Sequence, residues 1–126
     1  MAEDKSLLSI VELGGYPDFS PLYKKFGYQP IVVYSMRKAL TALKKVKPSI
    51  VVAEFNYQSD FRDRTSSLES LIAIAQRNLD IKLIVFYEEE YLHQFEKLKE
   101  RYSFHATFAY PVMEATIEEA LASLIA

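Results

Sequence analysis

Two glutamates that close apolar runs are the residues best placed for chemistry: Glu12 follows Leu7-Leu8-Ser9-Ile10-Val11, and Glu54 follows Ile50-Val51-Val52-Ala53. Carboxylates at neighbouring strand ends can share a hard cation such as Mg²⁺ or Ca²⁺, with Glu88 or Asp60 adding oxygens. Two carboxylates seldom suffice for that, so a pair of solvated strand-end acids is the plainer expectation. Gly14-Gly15-Tyr16-Pro17-Asp18 lies where phosphate-binding loops occur. It lacks the GxGxxG spacing and a P-loop lysine, and Pro17 removes an amide donor, so a tight turn is expected and no nucleotide is implied. His93 and His105 stand apart from any serine nucleophile or second histidine at ligand spacing, which leaves no triad and no zinc site. The absence of cysteine excludes disulfides, thiolate metal sites and thiol catalysis.

The elements that must position these residues are legible as alternating patterns. Five apolar, β-branched or aromatic runs read as strands covered on both faces: Leu7 to Val11, Ile31 to Tyr34, Ile50 to Ala53, Leu83 to Tyr87 and Ala106 to Tyr110. Between them, apolar residues recur at helical spacing. They are Met36, Ala39, Leu40, Leu43 and Val46, then Leu68, Leu71, Ile72, Ala75 and Leu79, then Tyr91, Phe95, Leu98 and Tyr102, and last Ile117, Ala120, Leu121 and Leu124. Ser20-Pro21 reads as the cap and first turn of a short first helix that Gly27 closes; Ser35 caps the second, and Ser66 with Glu69 has capping-box spacing for the third. An irregular stretch is expected from Phe55 to Ser66, long enough to act as a functional loop. Alternating βα units require parallel strands with helices on both faces, a (βα)5 order.

Composition narrows the function classes. The chain has 126 residues and a formal charge of −2, which argues against generic polyanion binding. Charge is uneven: residues 1 to 63 carry +2 and residues 64 to 126 carry −4, with the basic share on the second helix at Arg37, Lys38, Lys44, Lys45 and Lys47. That helix reads as an ordinary solvated amphipathic face. Apolar runs of about five residues are too short to span a bilayer, and the start of the chain lacks the order of a signal peptide. One cytoplasmic domain over residues 1-126, with no cofactor, no nucleic acid and no membrane, is the expectation.

A βα repeat of this size resembles the receiver domain of response regulators. The match is best over Ala39-Leu40-Thr41-Ala42-Leu43 and Lys47-Pro48-Ser49-Ile50-Val51-Val52-Ala53-Glu54, and next best at Tyr110-Pro111, where that family has Lys-Pro with a cis peptide bond. The resemblance implies a three-layer, doubly wound parallel sheet of CheY-like, flavodoxin-like type with strand order 2-1-3-4-5. It also implies a phosphorylation pocket: an acidic pair and an Asp that hold Mg²⁺, the Asp as nucleophile, and a Thr or Ser and a Lys that bind phosphoryl oxygens. Aligned by strand ends, this chain offers Glu12 beside apolar Val11 for the pair, Glu54 for the Asp, Tyr87 for the Thr or Ser, Glu88 for the small residue after it, and Tyr110 before Pro111 for the Lys. Gathered carboxylates and a phosphoryl group need a divalent cation and a lysine to offset their charge. The resemblance therefore implies a degenerate, non-enzymatic pseudo-receiver that signals by protein contact.

Its partner surface, by the same resemblance, is the face of the fourth helix, fifth strand and fifth helix. Tyr91, Tyr102 and Phe104 are the expected anchors there for a protein partner or a second copy. The rival expectation is a flavodoxin-like domain that binds a metal ion or small ligand at the strand ends.

Overall fold

The computed structural model describes residues 5–55, 62–77 and 81–125. In chain order the elements are β1 (Lys5–Ile10), α1 (Ser20–Lys25), β2 (Tyr28–Val33), α2 (Met36–Lys45), β3 (Ile50–Phe55), α3 (Arg62–Arg77), β4 (Lys82–Tyr87), a 3₁₀ turn (Glu89–Tyr91), α4 (Leu92–Arg101), β5 (Ala106–Ala109) and α5 (Glu114–Ile125). The five strands form one parallel sheet in the order β2-β1-β3-β4-β5. This is the topology the resemblance implied. Every residue of central β3 is buried, as a strand covered on both faces must be.

The two-residue repeat of a strand sorts the core into two layers. Leu8, Ile10, Val51, Ala53, Phe55, Leu83 and Val85 pack with residues of α2, α3 and α4, including Ala39, Leu71, Ile72, Phe95 and Leu98. Leu7, Ile50, Val52, Ile84 and Phe86 pack with Leu22 and Tyr23 of α1 and Ile117 and Leu121 of α5. Helices 2, 3 and 4 thus cover one face, and helices 1 and 5 the other.

Local signals explain most boundaries. The Ser35 hydroxyl accepts from the Lys38 amide at 3.1 Å, capping α2 as its sequence suggests. Gly27, at φ +89°, takes the left-handed turn that ends α1, a conformation costly for any residue with a Cβ.

Three expectations need correction. Ser20 is the first residue of α1 rather than its cap; the Asp18 carboxylate accepts from its amide at 3.0 Å, and Pro21 has no amide to satisfy. Helix α3 begins at Arg62, so Ser66 lies inside it and residues 62–66 of the expected irregular stretch are helical. The apolar stripe starts only at Leu68, and the six residues before it contain no apolar side chain to mark a helix. β3 also runs on through Glu54 to Phe55, which places Glu54 within a strand rather than after one. Asp60 and Leu79 lie outside the described residues.

Candidate functional site

Glu54 shares a sheet face with Ile50 and Val52 by strand alternation and pairs across the ladder with Phe86 of β4. Its side chain therefore enters the layer of α1 and α5. It is 1 % exposed, so the expectation of a solvated strand-end acid is overturned for this residue. A buried carboxylate is tolerable only if its lone pairs are met by donors.

The loop after β1 supplies those donors. The Glu54 carboxylate accepts from the backbone amides of Glu12 at 3.1 Å, Leu13 at 2.9 Å and Gly14 at 3.2 Å, and from the Tyr16 hydroxyl at 2.7 Å. Gly14 at φ +74° and Gly15 at φ +86° make the turn that aims consecutive amides inward, so the expected tight turn is present and is an anion cradle for an internal carboxylate. What Glu12 gives Glu54 is a main-chain amide. Among the described residues, no group of three or more His, Asp or Glu side chains is arranged to hold a metal ion.

Aromatic rings close the other side. Tyr16 meets Phe86 edge to face at 5.0 Å and 80°, and Tyr110 lies over Tyr16 at 6.1 Å and 21°. Phe19 stacks on Tyr16 at 6.0 Å. Burial first, then the hydrogen bond to Glu54, pushes the Tyr16 phenol well above its ordinary range, which keeps it protonated as a donor. Burial, then the charges of Glu54 and Glu88, pushes Tyr110 up as well. Where the resemblance would set a lysine, a neutral ring stands. The Tyr110-Pro111 bond is cis, as the resemblance implied.

The sequence-selected residues do not all meet. Glu88, Tyr110 and Pro111 line a groove of about 400 Å³ together with Leu13, Gly14 and Gly15. Tyr87 belongs to the opposite face, where it stacks on Phe95 at 4.8 Å and 28°. Tyr91, Tyr102 and Phe104 are half-buried and pack against the α2-α3-α4 core, Phe104 against Phe95 at 5.6 Å and Tyr102 beneath the Arg101 guanidinium at 5.8 Å. Tyr16, Leu13 and Phe86 were not selected from sequence. The signal that points to them is the pairing of a glutamate inside an apolar strand with a Gly-Gly turn after the neighbouring one.

No family model and no curated protein matches the chain. Solved structures do. The chain is similar to a response regulator receiver domain protein from Clostridium thermocellum, at 15% identity over 96% of this chain and 94% of that one, with a TM-score of 0.71. A CheY-like receiver domain protein from Methanospirillum hungatei matches at 12% identity, 98% and 94% coverage and a TM-score of 0.71. A response regulator from Burkholderia pseudomallei, solved with a phosphorylated aspartic acid and a calcium ion, matches at 18% identity, 97% and 71% coverage and a TM-score of 0.64. The fold is that of CheY-like receiver domains.

Proposed function

We propose that this protein is a pseudo-receiver: a signalling module of receiver fold, formed by the whole chain, that acts by protein contact without being phosphorylated and without catalysing a reaction. The receiver fold supports a signalling role. The observation that carries the rest is the state of Glu54. A carboxylate that attacks a phosphoryl donor needs a free lone pair, an open approach and cations to offset the incoming charge. Glu54 is buried and accepts from three amides and a phenol. The Tyr16 hydroxyl binds it and the Tyr110 ring lies within reach of its charge, while Glu88 and Tyr110 line the neighbouring groove. Its extra methylene relative to Asp lets it reach the loop after β1 and makes that loop its partner.

Incubation with acetyl phosphate and Mg²⁺, followed by intact mass measurement, tests the reading. The expected result is an unmodified chain. A stable gain of one phosphoryl group that disappears in folded Glu54→Gln would overturn it.

A further inference from the structure

The protein-contact reading leaves open where a partner binds and what chemistry it has, and this inference rests on that reading. The aromatics selected from sequence on the α4 and β5 side are half-buried, whereas Leu13 and Met113 are 62% and 60% exposed, Leu13 lining the groove at the sheet edge and Met113 following Pro111 by two residues. Leu13 is also fixed in place: its amide is bound to the buried Glu54 carboxylate at 2.9 Å. An apolar side chain held outward on a pinned backbone is a preorganised anchor, which lowers the ordering cost of association.

Charge selects the occupant. The segments that reach this edge after β1, β4 and β5, residues 11 to 19, 88 to 91 and 110 to 114, hold Glu12, Asp18, Glu88, Glu89, Glu90 and Glu114 and no lysine or arginine. Glu88, Glu89, Glu90 and Glu114 are exposed, and the ion pairs seen among the described residues, Lys25 with Glu118 and Arg101 with Glu69, leave them out. Within the groove, Glu88 stands beside the Tyr110 ring, an aromatic face next to a carboxylate and with no cation among the described lining residues.

We infer that the groove between Leu13, Glu88 and Pro111 is the docking site for a cationic segment of a partner protein, one arginine or lysine entering over Tyr110 against Glu88 while an adjacent aliphatic residue packs on Leu13. Glu54 acts as a positioning residue for this site through the loop it holds. An acidic or phosphorylated partner is repelled by the same glutamates.

The test is an amide chemical-shift titration of the full chain with three acetylated, amidated tetrapeptides: Leu-Arg-Leu-Arg, Leu-Gln-Leu-Gln and Leu-Glu-Leu-Glu. The arginine peptide is expected to shift Leu13, Gly14, Gly15 and Glu88, more weakly at high salt, while the glutamate peptide shifts none. Glu88→Gln should weaken binding about fivefold, the worth of one partly exposed charge pair. Leu13→Ala, also at the surface, should weaken it without altering the charge response. Equal response to all three peptides, shifts confined to α4 and β5, or no shift with the arginine peptide would each overturn the proposal. Sedimentation of the free chain guards against a second copy: a dimer lost in Glu88→Gln would assign the groove to the basic α2 of another molecule and overturn a separate partner. None of these readouts depends on phosphorylation, so acetyl phosphate labelling fails or succeeds independently of them.

Discussion

Two aromatic clusters flank the carboxyl end of the same sheet, and they are held together by different physics. On the α2-α3-α4 face, Phe95 meets Phe55 at 5.0 Å, Tyr87 at 4.8 Å and Phe104 at 5.6 Å, an apolar cluster of rings. On the α1-α5 face, Tyr16, Phe86 and Tyr110 surround a buried carboxylate whose donors come from one loop. Dispersion and burial are non-directional and degrade by degrees as volume is removed. A hydrogen-bonded charge has no intermediate: change its acceptor chemistry at constant shape and the donors are left unmet. The difference teaches that shape-conserving substitutions, rather than truncations, separate the two faces.

Truncation should hit both hard. Phe95→Ala is expected to cost about 3–5 kcal/mol, the range for removing a fully buried phenylalanine. Glu54→Ala should cost a similar amount, about 3–5 kcal/mol, because it strips the shared acceptor from a buried charged network. Conservative changes then split them: Phe95→Leu, which keeps most of the buried volume, should cost well below its alanine value, whereas Glu54→Gln, whose amide group turns donors toward donors, should keep most of its cost, about 2 kcal/mol or more. Urea unfolding monitored by circular dichroism measures all four. Equal costs for the two conservative changes would erase the distinction between the faces.

The hydroxyl groups give the next contrast. Tyr16→Phe removes a bond to a charged group and is expected to cost about 1.5–3 kcal/mol. Tyr87→Phe keeps the ring that stacks on Phe95 and should stay within about 0.5 kcal/mol of the parent. The measurement is again urea unfolding, with the slope checked for constancy.

The layers were readable from sequence and the faces were not. Strands covered on both sides show as continuous apolar runs, so Ile50 to Ala53 and Leu83 to Tyr87 were evident. A continuous run has no alternation, and hence carries no mark of which residue looks which way. Strand ends alone therefore place Glu54 and Tyr87 in one pocket, although strand parity sends them to opposite layers. The apolar run ends at Ala53, which marks Glu54 as a solvated strand end; two further residues of ladder, paired with Phe86 and Tyr87, carry it into the interior. Local caps fared better where a side chain met a neighbouring amide, as at Ser35, and worse at α3, whose first residues carry no apolar mark. Glu54's partners are about forty residues away in sequence, beyond any local signal.

Alkali should act chiefly on the charged face. The phenols of Tyr16, Tyr23 and Tyr110 are all pushed above their ordinary range, burial being the first cause in each. A raised phenol leaves the folded state neutral while the unfolded chain ionises above about pH 10. Stability is therefore fully present below that point and falls as pH rises toward the folded values. Each such tyrosine steepens the loss by about 1.4 kcal/mol per pH unit. Tyr16→Phe should flatten this alkaline limb. Absorbance of tyrosinate followed alongside ellipticity would show the buried phenols ionising only with unfolding; their titration in the folded state would break the argument.

The smallest effect is expected at the other end of the loop that holds Glu54, and it isolates what burial adds to a carboxylate. Asp18 is exposed and also accepts a backbone amide, that of Ser20 at 3.0 Å. This hydrogen bond is the main reason its carboxyl lies below its ordinary value, with the Lys24 charge a lesser one. A depressed carboxyl stabilises the fold above its unfolded pKa, and that contribution disappears as pH falls through the folded value. Asp18→Asn keeps an acceptor for the Ser20 amide but removes the ionisation. Its stability should match the parent in strong acid and fall slightly below it near neutrality, so that its acid limb is shallower. Solvent screens this carboxylate, so the neutral-pH difference should be far smaller than the cost of Glu54→Gln. A comparable cost at the two positions would mean that the four donors, and not the loss of solvent, set the worth of Glu54.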